Sequence, residues 1–419
     1  MKTLTSLPIQ RISVLDALRG FALLGVIIMH MLQKFGIPNP PPEEAYFQFP
    51  VLDQAMKFIG RNIVMGRFIN IFAFLFGLSF FIQMDRSAQK GINFSRRFAW
   101  RMSLLLVFGL LIHSFYSLEI LSVYAFFGLL ILPLYKVNQW VLLGLFAFLL
   151  LGGPRILQIT DHNYQLEITE KKSDTTSEIN PGTLELPAHL SQPSLLNSVK
   201  YNYQERLWGK LNYQFGFIGR GYVTLALFIL GLWVGRIRFF ETIIQFRKRN
   251  YLLLAGFSLA FLLVSLLLTL FPEMNIRIFF RPQGNFLSPT LGLYQSIQDL
   301  NLFLFSAILT MAFISLYQTA VGERILSVLS PYGRMALTNY VGQGILGFFL
   351  FSPWCLGSSF GSYGAFTQVM AGLLIYIIQI LYSRQHLKTH YYGLLEWAWR
   401  SATYMKWQSY QKNKKITWA

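Results

Sequence analysis

Long apolar runs recur along the chain and are separated by short polar segments. Several of these runs approach the roughly 20 residues that an α-helix needs to cross the hydrocarbon core of a bilayer. The pattern therefore predicts an all-α, polytopic membrane protein with about ten transmembrane helices. The predicted spans are Leu18–Phe35, Ile63–Met84, Met102–Tyr116, Ile120–Tyr135, Trp140–Leu151, Phe215–Gly235, Tyr251–Phe271, Leu300–Tyr317, Met335–Phe351 and Phe366–Leu381.

Three consecutive spans in the first half of the chain are short. The third and the fourth are separated only by Ser117–Glu119, so we expect them to form a tight helical hairpin. The fifth, Trp140–Leu151, is the shortest, and an interfacial or re-entrant segment is the alternative there.

Charge supports the membrane prediction and orients it. Charged residues make up only 13% of the chain, against about 25% in a soluble domain. The formal charge of +18 does not indicate nucleic-acid binding, because Lys and Arg collect at helix ends on alternate loops. About two thirds of the 36 basic residues fall on one side, which the positive-inside rule assigns to the cytoplasm. Both termini are then cytoplasmic, as an even number of spans requires.

The polar segments divide the chain into four parts. Residues 1–153 form an N-terminal membrane bundle with spans one to five, and residues 213–383 form a C-terminal bundle with spans six to ten. Residues 154–212 are predicted to be an extracytoplasmic polar loop, too short to bury a core of its own. Residues 384–419 form a basic, aromatic cytoplasmic tail.

Ionisable side chains inside predicted spans are costly, and each is a candidate functional group. Asp16 and Arg19 are three residues apart, so they share a helix face and are expected to pair. His30 lies eleven residues beyond Arg19, on the same face and about 16 Å further along the helix axis. The alternative for His30 is an interfacial residue in contact with water at the outer helix end.

His113 and Glu119 flank the turn of the predicted hairpin. A carboxylate beside an imidazole can orient it and raise its basicity, which is what a general base needs. A structural hydrogen bond that closes the hairpin is the alternative. His30, His113 and Glu119 are therefore the candidate catalytic residues, with His30 preferred as the base.

Arginines form a further group at the predicted cytoplasmic face. Arg96, Arg97 and Arg101 precede or enter span three, and Arg334 immediately precedes span nine. The planar fork of arginine suits phosphate recognition, so these four are predicted to bind an anionic donor. The alternative is that these arginines bind no ligand and only anchor the cytoplasmic ends of the helices, as the positive-inside rule describes. The sequence contains no Walker-type loop, HExxH motif or Cys/His ligand pattern, so neither a metal site nor a permanently bound cofactor is predicted.

Motifs in a fixed order resemble those of the YeiB-like bacterial membrane proteins, which contain the domain of unknown function 418. They are Leu15–Gly25, Gly66–Gly77, Phe108–Ala125 and a C-terminal pair, Gly333–Tyr340 and Gly393–Arg400. Each motif is short, but in this order they frame most of the chain. The polar motif residues for which the resemblance implies a structural role are Asp16, Arg19, Arg67, Asn339, Glu396 and Arg400.

That family is similar to a broader superfamily of membrane acyltransferases, which includes acyltransferase family 3 and the heparan-glucosaminide acetyltransferases. The resemblance implies a helical bundle that takes an acyl group from acyl-coenzyme A inside and passes it to an acceptor outside. His30 has the spacing of a histidine in acyltransferase family 3, whereas the YeiB-like pattern has asparagine there. Glu119 stands where that pattern has aspartate, and Leu394 where it has proline.

The leading hypothesis is a transmembrane acyltransferase of the bacterial cytoplasmic membrane. Acyl-coenzyme A would be the donor, and an envelope glycan or lipid would be the acceptor. The first alternative is a transporter of an amphipathic or anionic metabolite, although no internal repeat supports it. The second alternative is a non-catalytic envelope protein that binds lipid.

Overall fold

A computed structural model of the chain describes residues 13–37, 49–170, 188–243, 245–272, 274–280, 282 and 284–412. The basic residues Lys2 and Arg11 and the most polar part of the predicted loop, residues 171–177, lie outside the described residues. The described residues are mostly helical, and their one strand-like contact is an isolated antiparallel bridge between His390 and Gln411. The prediction of an all-α fold is confirmed.

The helices are numbered in chain order. Those of the first part are α1 (Ser13–Leu32), α2 (Pro50–Ile59), α3 (Arg67–Ala88), α4 (Ser95–His113), α5 (Leu121–Leu134), α6 (Gln139–Leu150), α7 (Gly153–Glu170), α8 (Ala188–Ser191), α9 (Leu195–Tyr201) and α10 (Leu207–Phe215). Those of the second part are α11 (Arg220–Arg236), α12 (Arg247–Thr269), α13 (Pro289–Tyr317), α14 (Ala320–Leu326), α15 (Ser330–Arg334), α16 (Ala336–Phe351), α17 (Gly357–Phe360), α18 (Ala365–Thr389) and α19 (Leu394–Tyr404).

Each predicted span overlaps one of these helices over most of its length, although the span Ile63–Met84 begins in a π-helical turn before α3. Within the described residues, five helical segments are long and apolar enough to cross a membrane, or seven if two bent pairs each count as one span. One bent pair is α6 with α7, at 52°, so the short fifth span continues into a second helix instead of ending. The architecture is that of a multi-pass helical membrane protein, but helix length and composition do not confirm a number of ten crossings.

The boundaries of the predicted four parts of the chain do not coincide with the ends of helices. Within its described part, the segment predicted as a polar loop is largely helical and contains α7 to α10. Its predicted end at residue 212 falls inside α10, and the predicted start of the tail at residue 384 falls inside α18. At both boundaries a helix continues into polar residues, whereas the predicted boundary lies where the apolar run begins or ends.

Two helix contacts determine where the functional groups lie. Helices α3 and α11 pack closely through glycines: a Cβ atom at Gly77 would lie 2.0 Å from the carbonyl oxygen of Phe228, and one at Gly231 would lie 2.2 Å from that of Phe74. Helix α15 crosses the first turns of α1, where a Cβ atom at Gly333 would lie 1.8 Å from a backbone oxygen of α1. Helix α1 is thereby enclosed by the bundle, whereas α12 is exposed along its apolar length, as expected for contact with lipid.

Candidate functional site

A cavity of about 300 Å³ lies between α1, α3, α4, α5, α16 and the tail helix α19. At one end it has a polar rim formed by Arg19, Arg101, Arg334 and Glu396. Its walls are mainly phenylalanine and leucine side chains, and Tyr124 and Tyr340 lie towards its far end. In the predicted orientation the rim faces the cytoplasm. Residues from all the sequence motifs therefore meet in one cavity.

The predicted pair on the first helix is present. Arg19 Nη1 donates to Asp16 Oδ1 at 2.7 Å, and Arg19 Nη2 donates to Ser79 Oγ on α3 at 2.6 Å. The Asp16 side chain is 5% exposed, but that of Arg19 is 26% exposed because it faces the cavity. The pair is therefore only partly buried, and it holds the Arg19 side chain at the cavity rim.

The predicted arginine cluster divides into two groups. Arg101 and Arg334 line the cavity, and the Arg101 guanidinium lies 3.9 Å from the ring centroid of Trp399. Arg96 and Arg97 are exposed and lie outside the cavity lining, with Arg97 over a tyrosine ring of the tail. Only Arg101 and Arg334 of the four therefore line the cavity, because successive residues of a helix point to different faces.

Glu396 joins the tail helix to the start of α16. Its carboxylate accepts hydrogen bonds from the backbone N–H groups of Leu337 and Thr338, at 2.7 and 3.0 Å, and from the Thr338 hydroxyl at 2.5 Å. These N–H groups have no partner inside their own helix, so Glu396 caps α16 from a distance. Burial raises the pKa of the Glu396 carboxyl, and the hydrogen bonds oppose that shift.

The other motif residues have structural partners. The Asn339 amide donates to the Tyr332 carbonyl oxygen and to Ser383 Oγ, at 3.1 and 3.0 Å. The Arg400 guanidinium lies over the rings of Tyr392 and Tyr404. Both residues therefore contact neighbouring segments of the chain, and the structural role that the resemblance implies stays a prediction.

His30 lies in an aromatic cage directly behind the far end of the cavity. It is 2% exposed, and its ring centroid is 4.9 Å from that of Phe35, 5.8 Å from that of Tyr116 and 6.1 Å from that of Tyr340. Its Nε2 atom is buried and has no hydrogen-bond partner among the described residues. The alternative of a solvated interfacial histidine is therefore wrong. Tyr340 alone of these cage residues also lines the cavity.

His113 and Glu119 do not form the predicted pair. His113 Nε2 is 3.0 Å from the carbonyl oxygen of Asn202, whereas Glu119 forms a buried ion pair with Lys210 and accepts a hydrogen bond from the backbone N–H of Ser122 at 3.0 Å. Glu119 therefore caps the start of α5 and binds the segment before α11. Its charge is already neutralised, which leaves it unavailable to orient His113.

Sequence reasoning missed two residues of the site. Lys210 lies in the segment predicted as an extracytoplasmic polar loop, and nothing in its local pattern indicates a buried ion pair. Tyr340 lies in a predicted motif and span, but its position between cavity and histidine depends on the packing of α16 against α1.

The comparisons with known proteins divide the chain into two matched segments. Residues 234–406 match the family model described as protein of unknown function (DUF418). Residues 11–177 match the catalytic model of heparan-alpha-glucosaminide N-acetyltransferase. The first matched segment contains Arg19, His30 and Arg101, and the second contains Arg334 and Glu396, so the cavity rim is formed by residues of both matched segments.

Two relatives match along nearly the whole chain. An uncharacterized 39.9 kDa protein of Bacillus acidopullulyticus is 28% identical over 94% of this chain and 94% of its own. The uncharacterized protein YxaH of Bacillus subtilis is 26% identical over 97% of this chain and 98% of its own. Both alignments therefore extend over the two segments of this chain that contribute residues to the cavity.

Proposed function

We propose that the protein is a membrane acyltransferase whose thioester donor enters the cavity from the cytoplasmic side. One observation carries this proposal: an arginine rim and apolar walls lead to Tyr340, and His30 lies immediately behind it. The match of residues 11–177 to an acetyltransferase catalytic model supports it. The rim would bind the phosphates of acyl-coenzyme A through the planar guanidinium groups. The cavity is at the small end of ligand sites, so it would hold only the thioester arm.

The proposed chemistry needs a base at the far end of the cavity. An acceptor hydroxyl or amine attacks the thioester carbonyl carbon, the carbon–sulfur bond breaks, and the acceptor proton passes to His30 Nε2. The leaving thiolate then takes up that proton. The unpartnered, buried Nε2 atom suits this role, because no protein group competes for it among the described residues.

The donor assignment is tested with purified full-length protein in detergent and radiolabelled acetyl-coenzyme A. We expect binding that weakens with salt, release of free thiol, and loss of binding in Arg101→Ala or Arg334→Ala. Arg96→Ala is the matched control, since Arg96 lies on the same helix but is exposed and outside the cavity. Binding that is absent, or equal in all variants, contradicts the donor site.

The base assignment is tested by comparing His30→Ala with His113→Ala. Loss of a positioned base should lower the transfer rate by about 10²–10⁴-fold in His30→Ala, with thermal stability as the control for folding. His113 is expected to matter less, because its Nε2 lies against a backbone carbonyl oxygen. Full activity in both folded variants would make histidine base catalysis wrong.

We further propose that the protein lies in a bacterial cytoplasmic membrane and acts on an envelope glycan or lipid. The distribution of basic residues supports this orientation, and the two similar proteins are both from Bacillus. A periplasm- or surface-specific reporter placed at residues 171–174 should be active. Activity only of a cytoplasmic reporter there would reverse the topology.

A transporter is the second candidate, because helices broken near their middle often surround transport sites. Pro50–Ala88 is interrupted before α3, and the helix pairs α6–α7 and α10–α11 are bent by 52° and 56°. Thioester consumption separates the two candidates, since a transporter leaves the thioester intact.

A further inference from the structure

A second group of arginines lies away from the cavity, at the first residues of α3 and α11. Arg67 is 9% exposed and Arg220 is 8% exposed. In the predicted orientation both helix ends face the outer side, so the positive-inside rule does not account for them. Buried charge at membrane depth is costly, and it marks a functional site by default.

The backbone near both arginines is irregular. Helix α2 continues into a π-helical turn, Gly60–Val64, and the chain then turns at Gly66, whose φ of +77° is in the left-handed region. π-Helical turns occur frequently at functional sites. The break leaves backbone carbonyl groups without helical partners, and these groups attract cations.

The two guanidinium groups bind the same broken segment. Arg67 Nη1 donates to the carbonyl oxygens of Arg61 and Met65, both at 3.0 Å. Arg220 Nη2 donates to the carbonyl oxygen of Gly66, also at 3.0 Å. Neutral amide side chains would satisfy these carbonyl groups equally well, so the carbonyl groups alone do not explain two buried positive charges.

Neither arginine forms an ion pair with a carboxylate in the part of the chain that the structure describes, although Arg220 interacts electrostatically with the more distant Asp299. Arg220 binds the side-chain oxygen of Asn70 instead. The buried carboxylate of Asp299 is already paired with Arg155 at 2.6 Å. Arg67 Nε and Arg220 Nη1 are buried and without hydrogen-bond partners among the described residues. Each arginine thus retains a donor without a hydrogen-bond acceptor among the described residues, and the Arg67 guanidinium also lies 5.2 Å from the ring centroid of Phe305.

We infer that Arg67 and Arg220 form a site for an anionic group, a phosphate or a carboxylate, on a ligand that reaches the outer end of the bundle. The guanidinium fork matches the geometry of such oxyanions. That this ligand is the acyl acceptor rests on the proposed function. The anion site itself rests only on the two arginines.

Full-length protein in detergent is titrated with inorganic phosphate at constant ionic strength, with chloride as the reference, and the thermal unfolding midpoint is measured. The titration uses a background protein that carries both Arg101→Gln and Arg334→Gln, so that phosphate bound at the cytoplasmic rim does not contribute to the measured stabilisation. We expect phosphate to stabilise this background protein. Arg67→Gln or Arg220→Gln should lower the phosphate binding constant by about tenfold or more, because a charge-assisted hydrogen bond is lost.

Arg236→Gln is the matched control. Arg236 ends the same helix that Arg220 begins, and it also donates to backbone carbonyl oxygens, including that of Val137 at 2.6 Å. Phosphate binding should be unchanged in this variant. If Arg220→Gln does not fold, Arg220→Lys keeps the charge without the fork and should bind phosphate more weakly than the background protein.

The source of the anionic group is identified in nanodiscs without free phosphate. If phosphatidylglycerol raises the unfolding midpoint of the protein, phosphatidylcholine does not, and Arg220→Gln abolishes the effect, the anionic group belongs to a lipid headgroup. If only free phosphate raises the midpoint, the anionic group belongs to a soluble molecule. An equal phosphate response in Arg220→Gln, or an equal loss in Arg236→Gln, overturns the site. Phosphate binding without thioester consumption would keep this site and contradict the acyltransferase.

Discussion

Replacing Glu396 by alanine is expected to weaken the attachment of the tail helix to the start of α16. The carboxylate accepts three hydrogen bonds there, and the Thr338 hydroxyl in turn accepts one from the backbone N–H of Leu395 at 3.0 Å. Alanine leaves the N–H groups of Leu337 and Thr338 without an acceptor. A buried unsatisfied donor costs about 1–3 kcal/mol, so we expect a loss of about 2–4 kcal/mol in the free energy of unfolding.

Glu396→Gln separates hydrogen bonding from charge. Its amide oxygen can still accept from the two backbone N–H groups, and burial already disfavours the charged carboxylate, so we expect a loss below about 1 kcal/mol. Because the folded pKa of Glu396 is raised above its ordinary value of 4.5, the associated stabilisation is complete below that value and is lost as the pH rises through the folded pKa. The glutamine variant should lack this pH dependence.

Thermal unfolding in detergent measures the total effect, and limited proteolysis of the C-terminal tail detects local release of α19. Alanine should lower the midpoint and accelerate cleavage, while glutamine should resemble the unmodified protein. An alanine variant as stable and as protease-resistant as the parent would show that the cap contributes nothing. A glutamine variant as unstable as alanine would show that charge, not hydrogen bonding, is the source of the stability.

Three further predictions concern ion pairs, each measured by thermal unfolding. Arg155→Met leaves the buried Asp299 carboxylate unpaired and should cost about 3–5 kcal/mol, most of which Asp299→Leu should restore; an unrestored double variant would contradict this. Asp16→Asn should cost less, about 1–2 kcal/mol, because its partner is partly exposed to the cavity; a loss as large as that of Arg155→Met would refute this. Lys210→Ala leaves Glu119 buried and unpaired, so it should lower the free energy of unfolding by a similar ~3–5 kcal/mol and accelerate proteolysis at residues 195–215; an unchanged cleavage rate would mean that the pair does not hold this segment.

Helix positions could be predicted from the sequence, because each span must satisfy its backbone hydrogen bonds internally and so forms a long apolar run. The Asp16–Arg19 pair could also be predicted, because residues three apart in a helix share a face. The break before α3 could not, since the apolar run from Ile63 to Met84 continues across it without interruption. Irregular backbone of this kind depends on side chains from other helices, here Arg220.

In the candidate site, only contacts between residues close together in the sequence could be predicted. His113 and Glu119 are close in sequence, but the turn between them points their side chains to different partners. The partner of Glu119 is Lys210, 91 residues further along the chain, and such a contact has no local signature. Arg101 and Arg334 could be named as basic residues at helix ends, but their meeting in one cavity follows from the packing of α4 against α16 and the tail.

The α4–α5 hairpin connects the outer contacts to the inner cavity. Tyr340, the side chain between the cavity and His30, accepts a hydrogen bond from the backbone N–H of Ile120 at 3.0 Å. Ile120 directly follows Glu119, which Lys210 holds from the outer side. Tyr340 is 2% exposed and packs against the rings of His30 and Tyr116, so moving it aside would break this hydrogen bond and these ring contacts as well. The Glu119–Lys210 pair therefore holds the same turn whose backbone binds Tyr340 next to His30.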